Sequence, residues 1–222
     1  MAIVINGSGT VTGLAVGGLP DGTVDSGTIA TGTIVDADVA NIAASKLTGA
    51  LPAISGASLT GLTSAQMPTG SVLQVKQHFY TGAASGTSNS FDDTGLSVTI
   101  TPSSTSSKIL VMMTASVTAY EGTWQLRFLR GNAAIGYGGL ASSRTQSTVG
   151  GFHPTNDENH QSNSTSAQYL DSPNTTSATT YKLQYKVQGN STMYINRSGN
   201  DADNSDWSHR STSSITVMEI AG

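Results

Sequence analysis

The chain has 222 residues, of which only 11% are charged, and it carries a net charge of −4 with no cysteine. Ten scattered basic residues argue against a nucleic-acid partner, because phosphate binding needs clustered Lys and Arg. The missing cysteines exclude disulfides, a thiolate nucleophile and any Cys-based metal site.

Low charge combined with abundant Ser, Thr, Asn and Gly suits a β protein that hides surface in assembly. No run approaches the roughly 18 apolar residues of a membrane span. The opening MAIVINGSGT lacks a basic n-region and has too short an apolar run for a signal peptide, so synthesis in the cytosol without export is the expectation.

The first element is AIVINGSGTVTGLAV, where an Asn6-Gly7 turn between apolar runs can form a hairpin. Residues 1–20, with Ile3, Val4 and Ile5, are the candidate segment for docking to something larger. From there to Gly70 the chain has no aromatic residue, although it has thirteen in all, and Lys46 is its one basic residue. A Gly-Thr-β-branched triplet recurs at Gly22, Gly27 and Gly32. Five-residue spacing sends successive triplets to alternate faces of a strand, whose side-chain period is two. A ribbon that is apolar on both faces needs neighbours on both. Residues 21–70 therefore read as an extended shaft of three intertwined chains, with glycine where backbones approach. A flexible linker is the alternative, but Val24, Ile29, Val39 and Ile42 have no purpose in one. Asp36–Leu47 reads as one short helix, capped by Asp36 or Asp38 and ended by Gly49.

Residues 71–222 change character. SVLQVKQHFY and GLSVTITP alternate, and SKILVMMTASV is apolar on both faces, as a central strand would be. TWQLRFL and AAIGYG flank Arg130-Gly131-Asn132 as a hairpin. TYKLQYKV sends Tyr181, Leu183, Tyr185 and Val187 to one face, STMYIN follows a Gly189-Asn190 turn, and SSITVMEI closes the chain. The fold class is all-β, a β-sandwich head of jelly-roll topology.

Two polar stretches interrupt the strands. Gly139–Thr179 is too long for a bare loop, and SAQYLD predicts an added strand inside it. RSGNDADNSDWSHRST, Arg197–Thr212, is a polar excursion of the kind that builds binding surfaces on rigid sandwiches. Within it, Asp201, Asp203, Asp206 and Asn204 offer oxygen ligands for a structural cation. Asp206 stands where a calcium loop needs Gly, however, and Asx residues also simply form turns. Trp207, beside His209 in this loop, suits stacking on a sugar. His153, Asp157, Glu158 and His160 in HPTNDENH could hold a metal, but their spacing matches no zinc pattern, so a solvated loop is the better reading; a trimer could gather three copies of it on its axis, and His153 and Asp157 are further receptor-contact candidates. No cofactor is expected.

Trp124, in phase with Leu126 and Phe128, reads as core. Glu219 in ITVMEI must face an Arg or Lys or lie at the strand's exposed end. The Asn-x-Ser/Thr tripeptides, Asn196 among them, carry no weight without export. Catalysis is not expected, since no Gly-x-Ser-x-Gly occurs and no His has a Ser and Asp partner by motif.

MAIVINGSGTVTGLAVGGLPDGTV, IAASKLTGALPAISGASLTGL, TPSSTSSKILV, LDSPNTTSATTYKLQYKV, YINRS and SSITVMEI, in that order, resemble tail-fibre proteins of marine bacteriophages, cyanophages in particular. The resemblance implies a homotrimer located in the virion tail. It implies an N-terminal segment held by other virion proteins and a C-terminal β head that contacts a host glycan or surface protein. It carries over no catalytic residue. A capsid decoration or tail-assembly protein without a ligand, and a polysaccharide depolymerase, are the rival expectations.

Overall fold

The computed structural model describes Ile34 and residues 63–120, 122–153, 162–188, 191–203, 205–206 and 208–222. The expected attachment segment, the shaft apart from Ile34, and the Asp36–Leu47 helix lie outside the described residues. The chain divides into two compact units, Met1–Ser58 and Leu59–Gly222.

Among the described residues of the second unit, a 3₁₀ turn, Ser64–Gln66, precedes eleven strands. They are β1 (Val72–Tyr80), β2 (Ala84–Gly86), β3 (Asp92–Ile100), β4 (Lys108–Ala119), β5 (Gly122–Arg130) and β6 (Ala133–Ile135), then β7 (Val149–His153), β8 (Asn163–Asp171), β9 (Thr179–Val187), β10 (Met193–Ile195) and β11 (Ser213–Ile220). All strand pairings are antiparallel, so the described chain is all-β.

The strands form two sheets. In the first, β4 carries β11 and then β10 along one edge and β8 along the other, because Val111 pairs with both Val217 and Tyr169. β1 extends this sheet beyond β11, and β2 beyond β10. The second sheet runs β3-β9-β5, with β7 and β6 sharing the far edge of β5. Residues of both sheets meet in one apolar core.

Strand periodicity explains which residues enter it. Along β4, Ile109, Val111, Met113, Ala115 and Val117 are buried while Leu110 and Met112, on the other face, are only half-covered. Tyr181, Leu183 and Val187 of β9 point inward as their alternation requires, and Trp124, Leu126 and Phe128 of the neighbouring β5 lie beside them on the same inner face. Trp124 packs flat enough on Gly151 that a Cβ there would strike its ring. At Gly95, with φ of 88°, β3 steps out of register between Asp93 and Ser97. Thr94 fills the step by donating its hydroxyl to the Leu183 carbonyl.

Two expectations change. The polar interval 139–179 contains β7 and all of β8, which is longer than SAQYLD alone. As an edge strand, β8 has polar residues on both faces, so alternation does not mark its ends. Glu219 neither faces a basic residue nor lies exposed. It is fully buried, and its carboxylate accepts from Gln74 Nε2 (2.6 Å), the Ser103 amide and hydroxyl (2.6 Å each) and the Ser107 hydroxyl (2.7 Å). Burial alone would raise its pKa, but these four donors outweigh it and hold the carboxyl below its ordinary value.

A second buried carboxylate ties the sheets together. Asp171 of β8 takes Nη1 of Arg130 (3.0 Å to each oxygen) and the Tyr181 hydroxyl (2.7 Å), both from the second sheet. Burial, reinforced by Asp171, pushes the Tyr181 hydroxyl far above its ordinary pKa and keeps it a donor.

Asp171→Ala leaves Arg130 and Tyr181 without their acceptor and should cost about 3–5 kcal/mol in chemical denaturation. Since the Glu219 pKa is lowered on folding, its stabilisation is present above its unfolded value, about 4.3, and is lost as pH falls through the lower folded value. Glu219→Gln should therefore be less stable at pH 7 and show a flatter acid limb when stability is measured against pH.

Candidate functional site

The excursion between β10 and β11 is built on one side chain. Asn196 follows β10 with φ of 61°, a left-handed conformation that Asn tolerates better than most residues. It is almost fully buried, and its amide nitrogen donates to the carbonyls of Tyr80 (2.9 Å) and Gly82 (2.8 Å). Its side-chain oxygen accepts from the Ser213 hydroxyl (2.5 Å). Its backbone amide donates to Ser116 of β4, and its carbonyl accepts from the amide of Ser211. One residue thus joins the end of β1, the middle of β4 and the start of β11, where the loop leaves and returns. Arg197 and Arg210 then pair as an isolated antiparallel bridge that closes the neck.

Beyond the neck, ion pairs shape the loop. Asp201 holds Arg210 in a two-pronged contact (2.7 and 2.9 Å) and lies 3.7 Å from Arg197. The Arg197 guanidinium rests 4.2 Å over the Tyr194 ring. Ser198 and Ser208 both donate to the Asn200 carbonyl (2.8 and 3.1 Å). These short bonds surround a cleft of about 380 Å³ lined by Asp201, Asp203, Ser205, Ser208, His209 and Arg210. That is within the usual range of small-ligand sites, about 300–1,000 Å³, but the lining is polar rather than apolar.

A proton inventory sets the His209 ring. The Thr118 hydroxyl donates to the Arg197 carbonyl (3.0 Å), so Ser162 must donate to Thr118 (2.7 Å). The Ser162 oxygen can then only accept from His209, 2.7 Å away, which places a proton on Nε2. A Ser–His contact of this length suggests nucleophile and base, but here the proton runs the wrong way for His209 to activate the serine. The arrangement positions His209 and leaves Nδ1 as its acceptor in the neutral ring.

The structure brings Asp201, Asp203 and His209 to one cleft. Asp206 is exposed in the same loop but does not line the cleft. His153 is fully buried at the end of β7 in the other sheet, so its imidazole is not presented to solvent. Trp207, Asp157, Ile3, Val4 and Ile5 lie outside the described residues. Among the described residues no three His, Cys, Asp or Glu side chains gather as metal ligands, and Asp201 is already engaged by two arginines. No described helix is long and apolar enough to cross a membrane. Sequence reading missed Asn196, Ser162 and Arg197. The available signal was Asn196 standing where a strand gives way to a polar loop.

Asn196→Ala removes three side-chain hydrogen bonds from a buried site. A loss of about 2–3 kcal/mol is expected in denaturation, with hydrogen exchange accelerating across 197–211 more than in β4 or β9. No known family model matches the chain, and no curated protein sequence matches it.

Proposed function

We propose that the chain is a homotrimeric virion fibre whose C-terminal β unit is a jelly-roll head that binds a host-surface glycan. The strand order supports the jelly roll. With only the longer strands numbered along the chain, the sheets run 1-8-3-6 and 2-7-4-5, the order produced when a folded-over ribbon of antiparallel strands is rolled up. The observation that carries the binding role is the cleft of residues 201–210. It is held on a rigid frame by Asn196 and lined by a carboxylate, a guanidinium, hydroxyls and an imidazole at fixed positions.

Such a set of donors and acceptors matches a polyhydroxylated ligand, whose hydroxyls each give and take hydrogen bonds. Binding without turnover fits the site, because the Ser162–His209 pair is spent on positioning. One shallow polar cleft binds weakly. Three per trimer and several trimers per particle would convert that into firm attachment by raising the effective concentration of the remaining sites. The first residues, with Ile3, Val4 and Ile5, would dock on the particle.

The test uses the full chain on an array of bacterial surface glycans, with native mass by light scattering. A mass of three chains and a glycan signal are expected, and Asp203→Ala/His209→Ala should weaken it at least about tenfold, equivalent to about 1.4 kcal/mol. A trimer that binds no glycan would point to an assembly role alone. Shortening of the bound polysaccharide would reveal a depolymerase.

A further inference from the structure

The two sheets present unlike outer faces. Across the outside of the second sheet lie Asp93, Arg127, Lys182 and Lys186, with Asp93 bonded to Lys182 and Gln184, and Arg127 to Gln184. This is how a solvated sheet face reads. The outside of the first sheet is different. One row crosses all four long strands as Val75, Met218, Leu110 and Leu170, and Val75 and Leu170 are about half exposed, at 50% and 53%. The next row is Gln77, Thr216, Met112 and Gln168, and the next begins with Phe79, 58% exposed. Beside the aliphatic row, Val72 pairs with Ile220. Among the described residues of these four strands the face carries one charge, Lys108 at its corner, bonded to Ser172, and Arg197 lies over Tyr194 where β10 continues the sheet. Scattered exposed apolar residues need no explanation, but a contiguous stripe across a whole sheet marks an interface.

From this we infer that the outer face of the β1-β11-β4-β8 sheet is the surface on which copies of this chain pack against one another, a proposal that rests on the trimer reading above. Three observations choose a second copy as the occupant. A face with almost no charge does not repel its own duplicate, and the amides of Gln77 and Gln168 both donate and accept, so the surface suits itself. Next, residues 70 and 71, which lead into β1, lie at this sheet's end. The Gly70 amide donates to the Ala221 carbonyl and the Ala221 amide to the Ser71 carbonyl (2.8 Å each), one step from Val72 and Ile220. Finally, β8 pairs with β4 alone among the described strands, and its nine residues include no Lys and no Pro to guard the outer edge. A threefold arrangement that sets this edge and face against the next copy is a heterologous contact that closes into a ring.

The chain has no cysteine, so single-cysteine variants report cleanly. In full-length protein, Val75→Cys and Leu170→Cys should react with a maleimide about tenfold more slowly than Thr99→Cys, an exposed control on the other sheet. A short bismaleimide should link them into species of two or three chains, and Leu110→Asp should abolish both effects. Light scattering on the same samples separates the failures. A mass of one chain overturns the trimer and this interface together. A mass of three with Val75→Cys reacting as fast as the control overturns the interface alone. Protection without any linked species also overturns it, because the cover would then belong to the same chain.

Discussion

A core shared by two sheets has a rim where the chain crosses between them, and every polar group drawn in at the rim must find a hydrogen bond. That constraint governs this structure, which has no disulfide to hold it. Glu219, Asp171 and Asn196 are three buried polar side chains in such positions. Each is met by several partners from strands distant in sequence. Glu219 collects Gln74 from β1 and two serines of the β3–β4 connection. Asp171 collects Arg130 and Tyr181 from across the core. Asn196 gathers β1, β4 and β11. Apolar packing drives the sheets together, and these groups accept one register of the strands rather than many.

The candidate cleft inherits its rigidity from the same constraint. A sixteen-residue polar excursion would ordinarily sample many shapes, but its two ends are joined at Asn196 and again at the Arg197–Arg210 bridge. Asp201 then engages both arginines just beyond that neck. Exposed ion pairs of this kind are individually worth little. Here they act together with serine-to-backbone bonds in a closed loop, so the ordering they supply is local and sufficient for a preformed site.

Charge distinguishes the outer faces of the two sheets. The second sheet keeps paired charges and amides toward water, and the first keeps a neutral, partly aliphatic face. The proposed fibre uses both ends of that contrast. In that proposal the neutral face would pack against its copies, and the polar cleft between β10 and β11 would meet a hydroxyl-rich ligand.

Strand content, the inward residues of β5 and β9, and the β5–β6 hairpin were legible in the sequence, because period-two alternation and a glycine turn are local signals, whereas β4 read as apolar on both faces and its inward face was not marked. The Arg197–Thr212 excursion was equally visible as a break in that pattern. Sequence alone misplaced Glu219 and gave Asn196 no role, since a buried polar residue is told from an exposed one only by partners 15 to 145 positions away. It placed His153 with the loop residues by composition, whereas β7 carries that ring into the core. The contrast between the two outer faces was likewise hidden. Alternation tells which residues share a side of one strand, but which strands lie side by side, and so which side chains form a row, is decided only when the sheets assemble.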